Sequence, residues 1–165
     1  DMGWTAAAYH GTLRMADVDG DGRDDLCVRS AADFRCHPST GAGFGDPWTL
    51  GDLSDELGWD APSRYGTIRM ADVDGDARMD LCARAAEGMR CWLSTGAGFG
   101  APIEGPAWSD EAGWGRPEYW STIRLVDVDG DARADLCARA AAGVQCHLSR
   151  AEGFSGAIEG RPFSA

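Results

Sequence analysis

The chain contains no lysine and no asparagine, has only three histidines, and nowhere strings together the roughly 18 apolar residues that a membrane-spanning helix requires. Its basic side is thin: 15 arginines face 27 acidic residues, for a net charge of −12 and a pI near 4.5. That balance excludes a nucleic-acid partner, because affinity for a phosphate backbone rests on counterions released by a basic face. No membrane insertion is expected either. His10, His37 and His147 show no metal-ligand spacing, and the nucleophile motif G-x-S-x-G is missing, so the chain reads as non-catalytic. The N-terminus carries no signal-peptide pattern, and a chain that opens at Asp1 without Met fits a mature secreted product or an excised domain. Helical periodicity is not supported in any stretch, which turns the expectation toward strands and tight loops.

What is there is one unit written three times. The 165 residues align on themselves at a spacing of 55, giving repeats 1–55, 56–110 and 111–165. "TLRMADVDGDGRDDLCVR" at 12–29 returns as "TIRMADVDGDARMDLCAR" at 67–84 and "TIRLVDVDGDARADLCAR" at 122–139, and Trp4, Trp59 and Trp114 stand upstream in equivalent places. Such a unit cannot bury its apolar face alone and must stack on a neighbour. One repeat array is expected rather than three independent domains.

Within a copy, Leu13 and Met15, Ile68 and Met70, and Ile123 and Leu125 alternate with Arg14, Arg69 and Arg124, the period of a strand. A second strand is expected around Leu26–Arg29, a third around Arg35–His37, and a fourth near Trp48–Leu50, Ile103 and Ile158. Four short antiparallel strands per repeat describe a propeller blade. The segments "SDELGW" and "SDEAGW" hold at most one helical turn, started by Ser54 or Ser109. Cysteines come one pair per copy, Cys27 with Cys36, Cys82 with Cys91 and Cys137 with Cys146, opposite each other across the second hairpin. An even count at identical offsets predicts three intrachain disulfides and an oxidising, secreted or extracellular setting. Zinc usually asks for closer cysteine spacing and a second pair.

The strongest chemical signal is D-x-D-G-D-x-x-x-D, present in every copy: Asp17, Asp19, Asp21 and Asp25; Asp72, Asp74, Asp76 and Asp80; Asp127, Asp129, Asp131 and Asp135. Four carboxylates within nine residues repel one another unless a cation sits among them. Calcium suits the set, since it takes many oxygen ligands in irregular geometry, whereas magnesium keeps more of its waters. Arg23, Arg78 and Arg133, seventh in the loop, would supply backbone carbonyls, and Gly20, Gly75 and Gly130 permit the turn. An EF-hand needs a Glu at position 12, where Val28, Ala83 and Ala138 stand instead. About three structural calcium ions per chain are expected, and three divalent ions would halve the net charge to −6.

With the "GFG" that follows at 43–45 and 98–100, these loops resemble the FG-GAP or VCBS-type repeats of integrin-like β-propellers. The resemblance covers all three copies and implies that each loop joins the first two strands of a blade and binds calcium through the twelve aspartates. Two departures stand out: Gly22 becomes Ala77 and Ala132, and the cysteine pairs are not usual in the family. Three blades do not close a ring of roughly four to eight. The expected fold is therefore all-β, three four-stranded antiparallel blades completing a six-bladed propeller as a 3 + 3 homodimer; a three-lobed, β-trefoil-like monomer is the alternative.

Some proteins with similar repeats are lectins, and others are adhesion modules, so the resemblance implies either class. The residues themselves are compatible with glycan binding between blades. Indole and phenol faces stack on the C–H face of a pyranose while arginine and carboxylate groups hold its hydroxyls. Candidate ligand-binding residues are Trp59, Arg64, Tyr65, Trp114, Arg116, Glu118, Tyr119 and Trp120. Packing between blades is the competing role for the tryptophans, and Arg29, Arg84 and Arg139 are expected to bridge structural carboxylates.

Overall fold

Short alternating strands broken by Asp/Gly loops give every repeat the same antiparallel meander in the computed structural model, which describes residues 5–151 and 153–160. Trp4 lies outside the described residues. The first blade is built from β1 (Arg14–Ala16), β2 (Asp25–Arg29), β3 (Phe34–His37) and β4 (Trp48–Leu50). β5 (Arg69–Ala71), β6 (Asp80–Arg84), β7 (Met89–Ser94) and β8 (Phe99–Glu104) make the second; β9 (Arg124–Val126), β10 (Asp135–Ala140), β11 (Gly143–Arg150) and β12 (Gly153–Glu159) make the third. Each is a separate four-stranded sheet in sequence order, and the three sheets do not close on themselves. This is a stack of blades rather than a trefoil of shared hairpins.

The middle hairpin of each blade sets the cysteines face to face: Cys27 pairs in register with Cys36, Cys82 with Cys91 and Cys137 with Cys146. All three pairs are disulfide-bonded, and no free cysteine is present. Helix is slightly richer than the sequence suggests. α1 (Ala7–His10), α2 (Pro62–Tyr65) and α3 (Pro117–Trp120) precede the first strand of each blade, with 3-10 turns at Gly51–Leu53 and Asp55–Leu57. Four residues are too few for a 3.6-residue period to register. Pro62 and Pro117 enter their helices at the first turn, where the missing N–H carries no penalty.

Burial follows the stacking. One core lies between the first two blades: Val18, Cys27, Phe34 and Cys36 from one side meet Ile68, Leu81, Ala83 and Trp92 from the other. The second core repeats the scheme with Val73, Cys82, Met89 and Cys91 against Trp114, Ile123, Leu136 and Ala138. The disulfides of the first two blades thus face the next blade, while Leu81 or Leu136 faces the previous one. β6, in the middle sheet, is accordingly buried on both faces.

The end blades break the equivalence. Leu13 is 45% exposed, whereas Ile68 and Ile123 in its place are fully buried against the preceding blade. Val128 is 47% exposed, whereas Val18 and Val73 are buried under the following blade. Met15 on the first blade, and Val126 and Ile158 on the third, are bare as well.

Candidate functional site

The acidic loop between the first two strands is organised by its own backbone. Asp17 accepts hydrogen bonds from the N–H groups of Gly20 and Gly22, both at 2.8 Å. Asp72 does the same for Gly75 (2.6 Å) and Ala77 (2.8 Å), and Asp127 for Gly130 (2.6 Å) and Ala132 (3.0 Å). The turn needs a left-handed residue at its sixth position. Gly22 supplies it at φ 86°, while Ala77 and Ala132 are held at φ 69°, a conformation that strains a residue with a Cβ by about 1–2 kcal/mol.

The ninth residue of the motif is a staple. Asp80 is fully buried, and its two oxygens accept from Val73 N (2.8 Å) and Ser94 N (2.7 Å), tying the loop to β7. Asp25 bonds Val18 N and Ser39 N, and Asp135 bonds Val128 N and Ser149 N, in the same way. In each copy the first, third and ninth aspartates bring one oxygen each to within 4.8 Å of one another: Asp17, Asp19 and Asp25; Asp72, Asp74 and Asp80; Asp127, Asp129 and Asp135. Burial raises the Asp19 and Asp74 carboxyls above their ordinary values, and it pushes Asp80 up to about 7. A cluster of hard oxygens that is short of positive charge fits a divalent cation such as calcium.

The fifth residue stands outside these trios. Asp21 pairs with Arg23 and Asp76 with Arg78, while Asp131 lies 3.5 Å from Arg150. Arginines at the seventh position join loop to loop. Arg78 covers Gly20 of the preceding blade and Arg133 covers Gly75, each with a carbon or nitrogen 3.2 Å from where a Cβ would stand. Backbone bonds run alongside, from Met79 N to Asp17 O (2.8 Å) and from Ala134 N to Asp72 O (2.7 Å). Nothing approaches Gly130 within 4 Å, because no described blade follows it.

A second repeated feature lies where the short helix meets the hairpin turn of its own blade. Tyr9, Ser30, Ala31 and Arg35 line a cavity of about 350 Å³. Their equivalents Arg64, Ala85, Ala86 and Arg90 line one of about 210 Å³, and Tyr119, Ala140, Ala141 and Gln145 one of about 320 Å³. Tyr119 lies under two guanidiniums, with Arg116 5.5 Å and Arg139 5.6 Å from its ring centre. Arg116 also pairs with exposed Glu118 at 2.6 Å.

The expected ligand residues therefore separate. Arg64, Arg116 and Tyr119 line cavities, and Trp59 and Trp114 contribute an edge to the second and third while otherwise buried in the inter-blade cores. Trp114 stacks on Trp108 at 4.5 Å, and Trp59 meets Trp92 edge-on. Tyr65 and Trp120 line none of these cavities; they pack on the two cores, with Trp120 lying over Gly66 of the preceding blade. Sequence reasoning passed over Tyr9 and the turn residues, although Tyr9, Arg64 and Tyr119 share one column of the repeat. Arg29 bonds Asp55 and Arg84 forms an ion pair with Asp110, as structural bridges should, whereas Arg139 has no carboxylate within 4.0 Å among the described residues and donates to the carbonyl of Glu118 instead.

Residues 17–83 match the family model described as an FG-GAP-like repeat. An Agrocybe aegerita lectin that recognises non-reducing terminal N-acetylglucosamine shares the repeat's fold, with a TM-score of 0.77 and 22% identity over 88% of this chain and 37% of that one. The Photorhabdus luminescens Tc holotoxin pore follows at 0.62 and 22% over 94% of this chain and 7% of that one, and a TcdB2–TccC3–Cdc42 structure at 0.62 and 22% over 88% and 7%. The chain thus spans just over a third of the lectin and under a tenth of the toxin chains. At these identities the likeness is one of fold. No curated protein matches the chain in sequence.

Proposed function

We propose that the chain is a non-catalytic, calcium-stabilised carbohydrate-binding protein with one sugar site per blade. The observation that carries this reading is the recurrence of one cavity at three equivalent places, with a tyrosine or arginine from the helix and an arginine or glutamine from β3, β7 or β11. Such a cavity combines a face for C–H contact with hydrogen-bond donors for hydroxyls. Several weak sites on one rigid array give avidity toward branched or clustered glycans. The fold shared with an N-acetylglucosamine-specific lectin supports the same class. Chemistry is not expected of the remaining groups: His37 and His147 spend Nδ1 on the carbonyls of Gly45 and Ser155, and every cysteine is bridged.

In this reading the aspartate trios hold about three calcium ions per chain, with Asp21, Asp76 and Asp131 and the carbonyls of Arg23, Arg78 and Arg133 completing the shell. The role is structural, pinning the first two strands of each blade. The three disulfides support an oxidising, extracellular setting. The uncovered ends support a 3 + 3 homodimer: Leu13 and Met15 of one copy take the place against Val126 and Val128 of the other that Ile68 and Ile123 take inside the chain. Arg23 of the partner copy would then cover Gly130, as Arg78 and Arg133 cover their glycines.

A broad glycan array tests the proposal, probed in calcium and again in chelator, with Tyr119→Ala beside the parent chain. Related saccharides bound by the parent and lost or weakened in Tyr119→Ala establish the lectin. A blank array from a folded protein removes it and moves the function to adhesion between proteins.

A further inference from the structure

The first strands of the three blades carry an arginine each, Arg14, Arg69 and Arg124, at the same repeat position. β1 lies beside β5, and β5 beside β9, so the three guanidiniums follow one edge of the blade array. Each is gripped in the same way. The Nη1 group donates to the carbonyls three residues and one residue earlier: Gly11 and Leu13 for Arg14 (3.3 and 2.7 Å), Gly66 and Ile68 for Arg69 (3.0 and 2.8 Å), and Ser121 and Ile123 for Arg124 (2.9 and 2.8 Å). Arg14 also turns its Nε and Nη2 edge onto the carbonyl of Ile68, at 3.2 and 2.8 Å. That single oxygen therefore receives two guanidiniums, and two like charges meet on it.

Nothing neutralises them. In a chain with 27 acidic residues, none of the three arginines has a carboxylate oxygen within 4.0 Å among the described residues. The Nε and Nη2 edges of Arg69 and Arg124 have no protein acceptor among the described residues either. This is the edge on which a guanidinium takes a planar pair of oxygens. The Nη1 anchors hold it in orientation beforehand, so little side-chain freedom is lost when an anion arrives. Burial first, and the flanking charges of Arg14 and Arg124 second, bring Arg69 down to about 10.

We infer that Arg14, Arg69 and Arg124 form an oxyanion site along the converging edge of the blades, taking a sulfate- or phosphate-type group on the open edges of Arg69 and Arg124. The site is distinct from the helix–hairpin cavities and stands whether or not those bind sugar. Closure of a ring by a second copy would double the number of arginines on the edge.

The test is a calorimetric titration of the full chain with sodium sulfate against sodium chloride at matched ionic strength and fixed calcium, with a monosaccharide sulfate ester as a second probe. Saturable binding is expected for the parent, weakened about tenfold or more in Arg69→Gln and to a lesser degree in Arg69→Lys, which keeps the charge without the fork. Arg69→Gln should stay folded, with a cooperative melt in chloride, because losing the Nη1 anchors to Gly66 and Ile68 is offset by removing a like-charge contact. Its glycan-array profile with neutral saccharides should match the parent's, which separates this site from the lectin reading. Binding of inorganic sulfate that Arg69→Gln loses assigns a free anion, and binding of the ester alone that it loses assigns an esterified one. Sulfate or ester binding that persists in Arg69→Gln, or none in the parent, overturns the inference.

Discussion

Asp80 is both the most deeply buried carboxylate of the middle acidic loop and the acceptor for two backbone N–H groups, from Val73 at 2.8 Å and Ser94 at 2.7 Å. Asp80→Ala strands both donors in a site that leaves little room for water. A buried donor without a partner costs about 1–3 kcal/mol, so the two together destabilise by about 2–6 kcal/mol. In a chain of this size that corresponds to a melting point lower by about 5–20 °C. The informative condition is excess chelator. If the residue matters only as a calcium ligand, removing calcium abolishes the difference between parent and variant. The two backbone bonds exist without the ion, so the difference should persist. Asp80→Asn, which keeps one oxygen acceptor, should fall between the two. Thermal melts followed by near-ultraviolet circular dichroism, in calcium and in chelator, read all three proteins. Coincident melts of parent and Asp80→Ala in chelator would refute the staple.

Chelation itself should lower the parent's melting temperature, and an unchanged melt in excess chelator would remove the cation from the acidic loops. Light scattering should report a mass of about twice 17.5 kDa, and Leu13→Asp should return it to the monomer because it places a charge on the blade end; a monomeric parent would remove the 3 + 3 ring. Gly66→Ala sets a methyl 2.7 Å from the Trp120 ring and should destabilise by about 1–3 kcal/mol through overpacking. Ser121 already carries a Cβ at the equivalent place, so the indole and not the helix backbone is the obstacle; a melt equal to the parent's would show that Trp120 yields. Trp114→Ala, at 8% exposure and stacked on Trp108, should cost about 3–5 kcal/mol, whereas Tyr119→Ala, at a residue only partly buried against the same core, should lower the melt less and weaken binding.

Much of this molecule is legible because its signals are short. The acidic motif spans nine residues, each cysteine pair spans one hairpin, and the strand period needs only a handful of positions. The cysteine pairing agrees with the structure, and the strands of the first blade agree to within a residue, while β7, β8, β11 and β12 run longer than expected. The four-residue helices escaped, because Pro62–Tyr65 and Pro117–Trp120 are shorter than the periodicity that would announce them. The staple role of Asp25, Asp80 and Asp135 escaped too: their partners on or just past the third strand lie fourteen residues away, and only the folded sheet brings them near.

Burial was beyond local reasoning altogether. Leu13 and Ile68 sit in nearly identical sequence, yet one is 45% exposed and the other fully buried, because the first blade has no described neighbour on that side and the second does. The same rule sends Trp59, Tyr65, Trp114 and Trp120 mainly into packing and leaves Tyr119 lining a cavity. It also aligns Arg14, Arg69 and Arg124, 55 residues apart in sequence, along one edge. The sequence by itself determined the repeat, the strands, the disulfide pairs and the carboxylate loops, since each is closed within one unit. The tertiary structure alone decided which residues face a neighbouring blade, which line a cavity and which charges converge, since these depend on what is stacked beside the unit and not on what is written within it.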